Sequence, residues 1–153
     1  MIELVDITAA NWIECIKLSV LPEQKSFVAP NVYSLAESKY HPDMIPLGIS
    51  CDGKLAGFAM IGYEPEKSKS WIIRFMIDAK LQKKGYGSEA LAGLIKLLSE
   101  KYPHCDIRLS VEPENAAAIK LYEKFGFRAT GEIDDGEHVY DRSKSLPPDY
   151  RGG

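Results

Sequence analysis

Trp71-Ile72-Ile73-Arg74-Phe75-Met76-Ile77-Asp78-Ala79-Lys80-Leu81-Gln82-Lys83-Lys84-Gly85-Tyr86-Gly87-Ser88 is the run that decides the fold. Its first seven residues leave only Arg74 polar, the pattern of a strand covered on both faces and therefore central in its sheet. Beyond Gly87, Ala90, Leu91, Leu94, Ile95, Leu98 and Tyr102 recur at helical spacing until Pro103 stops the pattern. Between strand and helix lies a loop with two glycines. Such a loop lets main-chain N–H groups approach an anion, and the helix N-terminus adds about half a positive charge. Taken alone, Gly85-x-Gly87 also suits a plain turn.

Upstream, Pro46 to Cys51 and Leu55 to Tyr63 read as strands joined through Asp52-Gly53, a hairpin signal, so an antiparallel meander leads into Trp71 to Ile77. Ile2, Leu4 and Ile7 alternate as a half-buried strand. Thr8 then precedes helical spacing at Trp12, Ile13, Ile16 and Val20. Residues 21–33 carry Pro22 and Pro30 without a sustained period. Leu35 to Tyr40 follows Ser34 as a short capped helix ended by Pro42, and this segment is expected to form a lid or a wall of a substrate site. Downstream, Ile107, Leu109 and Val111 alternate as a strand, and Asn115 to Lys124 reads as a helix with Gly126 at its end. Phe127 to Ile133 and His138 to Asp141 flank the turn Asp134-Asp135-Gly136-Glu137 as a closing hairpin. The expected organisation is one domain over residues 1–142 and a flexible C-terminal tail over 143–153.

Two glycine-loop architectures compete for the central run. Gly85, Gly87 and Ala90 also fit the G-x-G-x-x-G/A dinucleotide fingerprint, with Glu112 near the place of its ribose-binding acid. In that fingerprint the first glycine follows the strand directly. Here Asp78 to Lys84 intervene before Gly85, and the strands before them read as antiparallel, so the dinucleotide reading is set aside.

The string Phe75 to Gly87 resembles motif A of the GNAT superfamily of N-acetyltransferases: Gln or Arg, two variable residues, Gly, one variable residue, then Gly or Ala. Asn115-Ala116-Ala117-Ala118-Ile119-Lys120-Leu121-Tyr122-Glu123-Lys124-Phe125-Gly126-Phe127 resembles the family's second signature. The resemblance covers roughly residues 2–142. Glu23 to Asn31 is similar to bacterial spermine/spermidine (diamine) acetyltransferases. Departures are Lys83 where many relatives carry glycine, Ala79 where they carry proline, and Ile73 where a eukaryotic polyamine-acetyltransferase pattern has glutamate.

The resemblance implies a mixed α/β (α+β) sheet, mostly antiparallel, with a splayed parallel pair opened by a bulge and flanked by helices. It implies acetyl-CoA as cofactor and coenzyme A as product. Pantetheine would pair with the backbone of Phe75, Met76 and Ile77. Pyrophosphate would lie on the amides of Gln82, Lys83, Lys84, Gly85, Tyr86, Gly87 and Ser88, with Asn115, Ala118 and Tyr122 beside the cofactor. A neutral primary amine would attack the thioester directly through a tetrahedral intermediate, with an N–H near Ile77 facing the oxyanion and Tyr122 protonating the sulfur. An alkylamine is mostly protonated near neutrality, with a pKa of about 10, so a base or water relay is needed, and Glu112 is a candidate. For a polyamine such as spermidine or spermine, Glu23, Glu37, Asp134 and Asp135 would attract the cation. Phe27, Tyr33 and Tyr40 would wall its methylenes. Acceptors of other kinds, an antibiotic amine or a protein or peptide amine, stay open, as does a non-catalytic acyl-CoA-binding module. So does a homodimer, since relatives often dimerise.

Composition agrees with a folded domain: 45% of residues are hydrophobic and 27% charged. The net charge of −3 argues against nucleic-acid binding, which favours a basic face. No apolar run reaches the ~20 residues that span a bilayer, and the N-terminus lacks signal-peptide order, so the expectation is a cytoplasmic protein without a membrane partner. Cys15, Cys51 and Cys105 form neither a disulfide framework nor a paired metal motif, and no metal site is expected.

Overall fold

The computed structural model describes residues 1–152. Seven strands form one sheet: β1 (Ile2–Asp6), β2 (Ile45–Cys51), β3 (Lys54–Glu64), β4 (Lys69–Ile77), β5 (Asp106–Val111), β6 (Arg128–Asp134) and β7 (Glu137–Arg142). Four helices, α1 (Trp12–Lys17), α2 (Asn31–Tyr40), α3 (Tyr86–Lys101) and α4 (Ala116–Lys124), cover its faces. The strand order is β1-β2-β3-β4-β5-β7-β6, and every neighbouring pair is antiparallel except β4 and β5. The mixed sheet with one splayed parallel pair expected from the motifs is what the chain adopts.

β4 sits fourth of seven and is covered on both sides. Ile72, Phe75 and Ile77 join the cluster containing the inner face of α3, whereas Ile73 and Met76 join the cluster beneath Cys15 of α1. Ala90, Leu91, Leu94, Ile95 and Leu98 of α3 are fully buried, which accounts for the strong periodicity of that helix. Each large side chain among them contributes roughly 1.5–3 kcal/mol through burial.

The opening in the sheet has a local cause. Met60 pairs with Arg74 but Ile61 pairs with Ile72, so Ile73 is an extra residue that bulges β4. Gly62 makes room for it, since a Cβ there would stand 2.6 Å from Ile73 Cδ1. On its other edge β4 pairs with β5 only at Lys69, Ser70 and Trp71, opposite Asp106, Ile107 and Arg108. Beyond Trp71 the two strands part.

Charges pin the closed end of this V. Lys69 Nζ reaches Asp106 at 3.2 Å and Asp141 at 2.8 Å. Arg108 meets Asp141 at 2.7 Å and Glu132 at 3.0 Å, and its guanidinium lies 6.0 Å from the Trp71 ring centroid. One half-buried network thus ties β4, β5, β7 and β6 together. Burial alone would raise the Asp141 carboxyl, but hydrogen bonds from Arg108 and Lys69, with their charges, outweigh it and hold the group below the usual carboxylate range.

Both hairpin turns have the backbone their sequences call for: Asp52 and Gly53 have φ of 50° and 86°, Asp135 and Gly136 of 50° and 81°. Two expectations need correction. The first helix ends at Lys17, short of Val20, because Leu18 is extended and Ser19 is tied to the residues just after β4: its N–H donates to Asp78 Oδ1 at 2.9 Å and its carbonyl accepts from Ala79 N. The second helix starts at Asn31, with Ser34 buried inside it rather than capping it. Pro30 initiates this helix instead of breaking it, since a proline's missing N–H costs nothing where no helical acceptor exists.

The stretch 143–152, expected as a flexible tail, lies against the end of α4. Gly152 N donates to Lys124 O at 2.7 Å, Leu146 and Tyr150 pack over Gly126, and Arg142 donates to the carbonyls of Phe125 and Pro147. Among the described residues no helix is long and apolar enough to cross a membrane.

Candidate active site

Where β4 and β5 part, a cavity of about 950 Å³ passes through the sheet. Trp71 to Ile77 form one wall and Leu109, Ser110 and Val111 the other. Asn115, Ala118 and Tyr122 of α4 border it on the face that packs with α3. On the opposite face stand the segment from Gln24 to Pro30, Glu37 of α2, and the β6–β7 turn with Asp134, Asp135 and Glu137. From Ile72 onward the edge of β4 that faces β5 has no partner strand, which leaves backbone at Phe75 to Ile77 open to an extended ligand.

The glycine loop stands at the mouth. Lys83 and Gly85 both have left-handed φ, 63° and 84°, and Gly85 is the N-cap of α3. Among the described residues, no main-chain N–H from Gln82 to Ser88 donates to a protein acceptor. Those amides, at the start of a 16-residue helix, are the donors an anion requires. The Gln82 side chain holds the loop: Nε2 donates to Ile77 O at 3.0 Å and to Gln24 Oε1 at 2.9 Å, and Gln24 Nε2 donates back to Gln82 Oε1 at 3.2 Å. Gln82, Lys83 and Gly87 border the cavity, whereas Lys84, Gly85, Tyr86 and Ser88 lie along the loop outside its lining. Lys83 is a non-glycine residue in a left-handed conformation, which costs it about 1–2 kcal/mol.

Tyr122 is 8% exposed and lines the cavity, its ring between Phe75 at 6.5 Å and Phe127 at 5.9 Å, centroid to centroid. Burial, with a smaller push from the charge of Glu137, moves its phenol above the ordinary range. It is therefore a protonated donor throughout the neutral range. Asn115 Oδ1 accepts from Ala118 N at 3.3 Å, so it caps α4 while bordering the cavity.

Of the residues expected on the acceptor side, Phe27, Glu37, Asp134 and Asp135 line the cavity; Glu23, Tyr33, Tyr40 and Glu112 do not. Glu37 is not a free charge, since Arg74 Nη2 holds its Oε1 at 3.0 Å. Sequence reasoning passed over Arg74, Ser110 and Glu137 as site residues. Arg74 was visible as the one polar residue in an apolar strand. Glu137 was hidden in turn chemistry, because nothing local says that this turn folds back over the opening. Ser110 Oγ donates to Glu137 Oε1 at 2.6 Å.

A bulge-opened parallel pair with a glycine-capped helix at its mouth and a buried tyrosine beside the opening defines the architecture of an N-acyltransferase. The acetyltransferase (GNAT) family model matches residues 9–127, and the chain belongs to that family. It is 36% identical over 140 residues to spermine/spermidine N(1)-acetyltransferase of Bacillus subtilis, an alignment covering 87% of this chain and 92% of that one. Among solved structures, aminoglycoside acetyltransferase AAC(6')-Ib in complex with coenzyme A and kanamycin shares the fold with a TM-score of 0.72 at 22% identity, over 92% of this chain and 93% of that one. The PaiA N-acetyltransferase of Thermoplasma acidophilum in complex with coenzyme A has a TM-score of 0.68 at 17% identity, over 93% and 98%.

Proposed function

We propose that the chain transfers the acetyl group of acetyl-CoA to a primary amine, with spermidine or spermine as the preferred acceptor. The observation that carries this reading is the run of unpaired amides from Gln82 to Ser88 at the mouth of a cleft whose walls are the parted β4 and β5. These residues fit the cofactor: the amides suit a diphosphate, the open edge at Phe75 to Ile77 suits an extended pantetheine, and Lys83 adds positive charge.

Bound acetyl-CoA supplies an activated thioester carbonyl. The chain's own groups orient and polarise. The open edge of β4 would align the acyl arm, and main-chain donors near Ile77 would serve the carbonyl oxygen. Tyr122, a protonated phenol lining the same cavity, would stabilise charge developing on the leaving sulfur.

The polyamine acceptor is supported by the likeness to the Bacillus subtilis enzyme and by the charges of the acceptor face. With Glu37 neutralised by Arg74, the carboxylates of Asp134, Asp135 and Glu137 outweigh Lys25 there. Such a surface attracts a polycation and favours its distal ammonium groups.

A steady-state panel tests the acceptor. Spermidine and spermine are expected to give a kcat/KM at least tenfold above kanamycin and above an alanine-initiated peptide. Turnover of kanamycin or the peptide without turnover of polyamines overturns the polyamine assignment and leaves acetyl transfer standing.

A further inference from the structure

Acceptor chemistry needs a proton acceptor, and the fold supplies one on the correct side of the sheet. β5 turns Ile107, Leu109 and Val111 toward the α3–α4 core, so Arg108 and Ser110 face the other way. Ser110 lies on the parted section of β5, and its hydroxyl fixes the Glu137 carboxylate at 2.6 Å across the cavity rim. Tyr122 approaches the opening from the α4 side. Leaving-group donor and carboxylate thus approach one gap from opposite faces of the sheet, so that the amine and the departing sulfur are served by different groups.

Resting on the acetyl-transfer reading above, we propose that Glu137 takes the proton from the acceptor ammonium and that Ser110 is the positioning residue that aims it. The carboxylate removes one proton from R–NH3⁺, and the freed lone pair forms the C–N bond as the carbonyl π pair moves onto oxygen. That pair then re-forms the carbonyl as the C–S bond breaks, the C–S electron pair staying on sulfur opposite the Tyr122 phenol. The amide nitrogen sheds its second proton to water.

Competing carboxylates are less suited. Glu37 is engaged by Arg74, and Glu112 does not border the cavity. Asp134 and Asp135 stand exposed on the turn itself. Glu137 shares the cavity with Ser110 from β5, Tyr122 from α4, Arg74 from β4, Glu37 from α2, Lys25 ahead of α2, Lys83 from the glycine loop, and Asp134 and Asp135 from its own hairpin. Glu137 and Tyr122 both border this cavity.

The test is the pH dependence of kcat/KM for spermidine in the wild type, Glu137→Gln and Ser110→Ala, with acetyl-CoA affinity measured in parallel to establish that each variant is folded. Without its base the enzyme can use only amine already neutral. Glu137→Gln is expected to fall about 10²-fold at pH 7 and to regain about tenfold per pH unit toward the amine pKa of about 10. The wild type should be nearly flat over that range, and Ser110→Ala should show a smaller loss with the wild-type slope. A wild type active on spermidine beside a Glu137→Gln variant of unchanged slope overturns the inference alone, as does the steep slope appearing in Glu112→Gln instead. A wild type that acetylates no amine overturns the acetyl-transfer reading, and this inference with it.

Discussion

The proposed role of Tyr122 rests on two properties of its surroundings: burial keeps its phenol protonated, and the residue lines the cavity. Tyr122→Phe is expected to lower kcat by about 10²-fold while changing acetyl-CoA affinity little, because the ring stays packed between Phe75 and Phe127. The sign of its titration follows from the raised pKa. As pH rises through the ordinary phenol value of about 10, wild-type Tyr122 is still protonated, so any tyrosine-linked loss of rate appears only above that value. Kinetics of the two proteins across alkaline pH check both points, and equal kcat values would remove Tyr122 from the chemistry. Lys83 poses the opposite problem, a side chain useful for charge on a backbone that suits glycine. Lys83→Gly should raise stability by roughly 1 kcal/mol in denaturant titrations and weaken acetyl-CoA binding several-fold.

At the scale of elements, the V depends on what happens at its two ends: the bulge at Ile73 opens it and the Lys69–Asp141–Arg108 network closes it. Asp141 titrates below its unfolded value, so it stabilises the fold above pH ~4 and that contribution is lost as pH falls through the lower folded pKa. Asp141→Asn is expected to lower the Tm at pH 7 and to shrink the Tm difference from wild type as pH falls below ~4. A difference that stays constant across that range would mean the network does not clamp the V. The glycine loop, α3 and both hairpin turns were legible because each is written in adjacent residues: φ-demanding glycines, a 3.6-residue period, Asp-Gly pairs. The bulge was foreseen only through family resemblance, since Ile73 looks like any other apolar residue of its strand. The pairing of Glu37 with Arg74 and of Glu137 with Ser110 joins positions 37 and 27 residues apart, and no local pattern encodes it.

For the molecule as a whole, the sheet divides the labour. One face, with α3 and α4, offers loop amides and Tyr122; the other, with α2 and the β6–β7 turn, offers acidic groups; the parted strands connect them. An acyl donor and an amine can therefore meet from opposite sides without competing for space. This arrangement stands or falls on whether the loop from Gln82 to Ser88 and the open edge of β4 hold acetyl-CoA. Calorimetric titration of the chain with acetyl-CoA, with no acceptor present, measures that directly. The expected result is one site per chain with a Kd in the micromolar range, weakened by added salt as anion binding requires. Absence of binding at millimolar acetyl-CoA would contradict it.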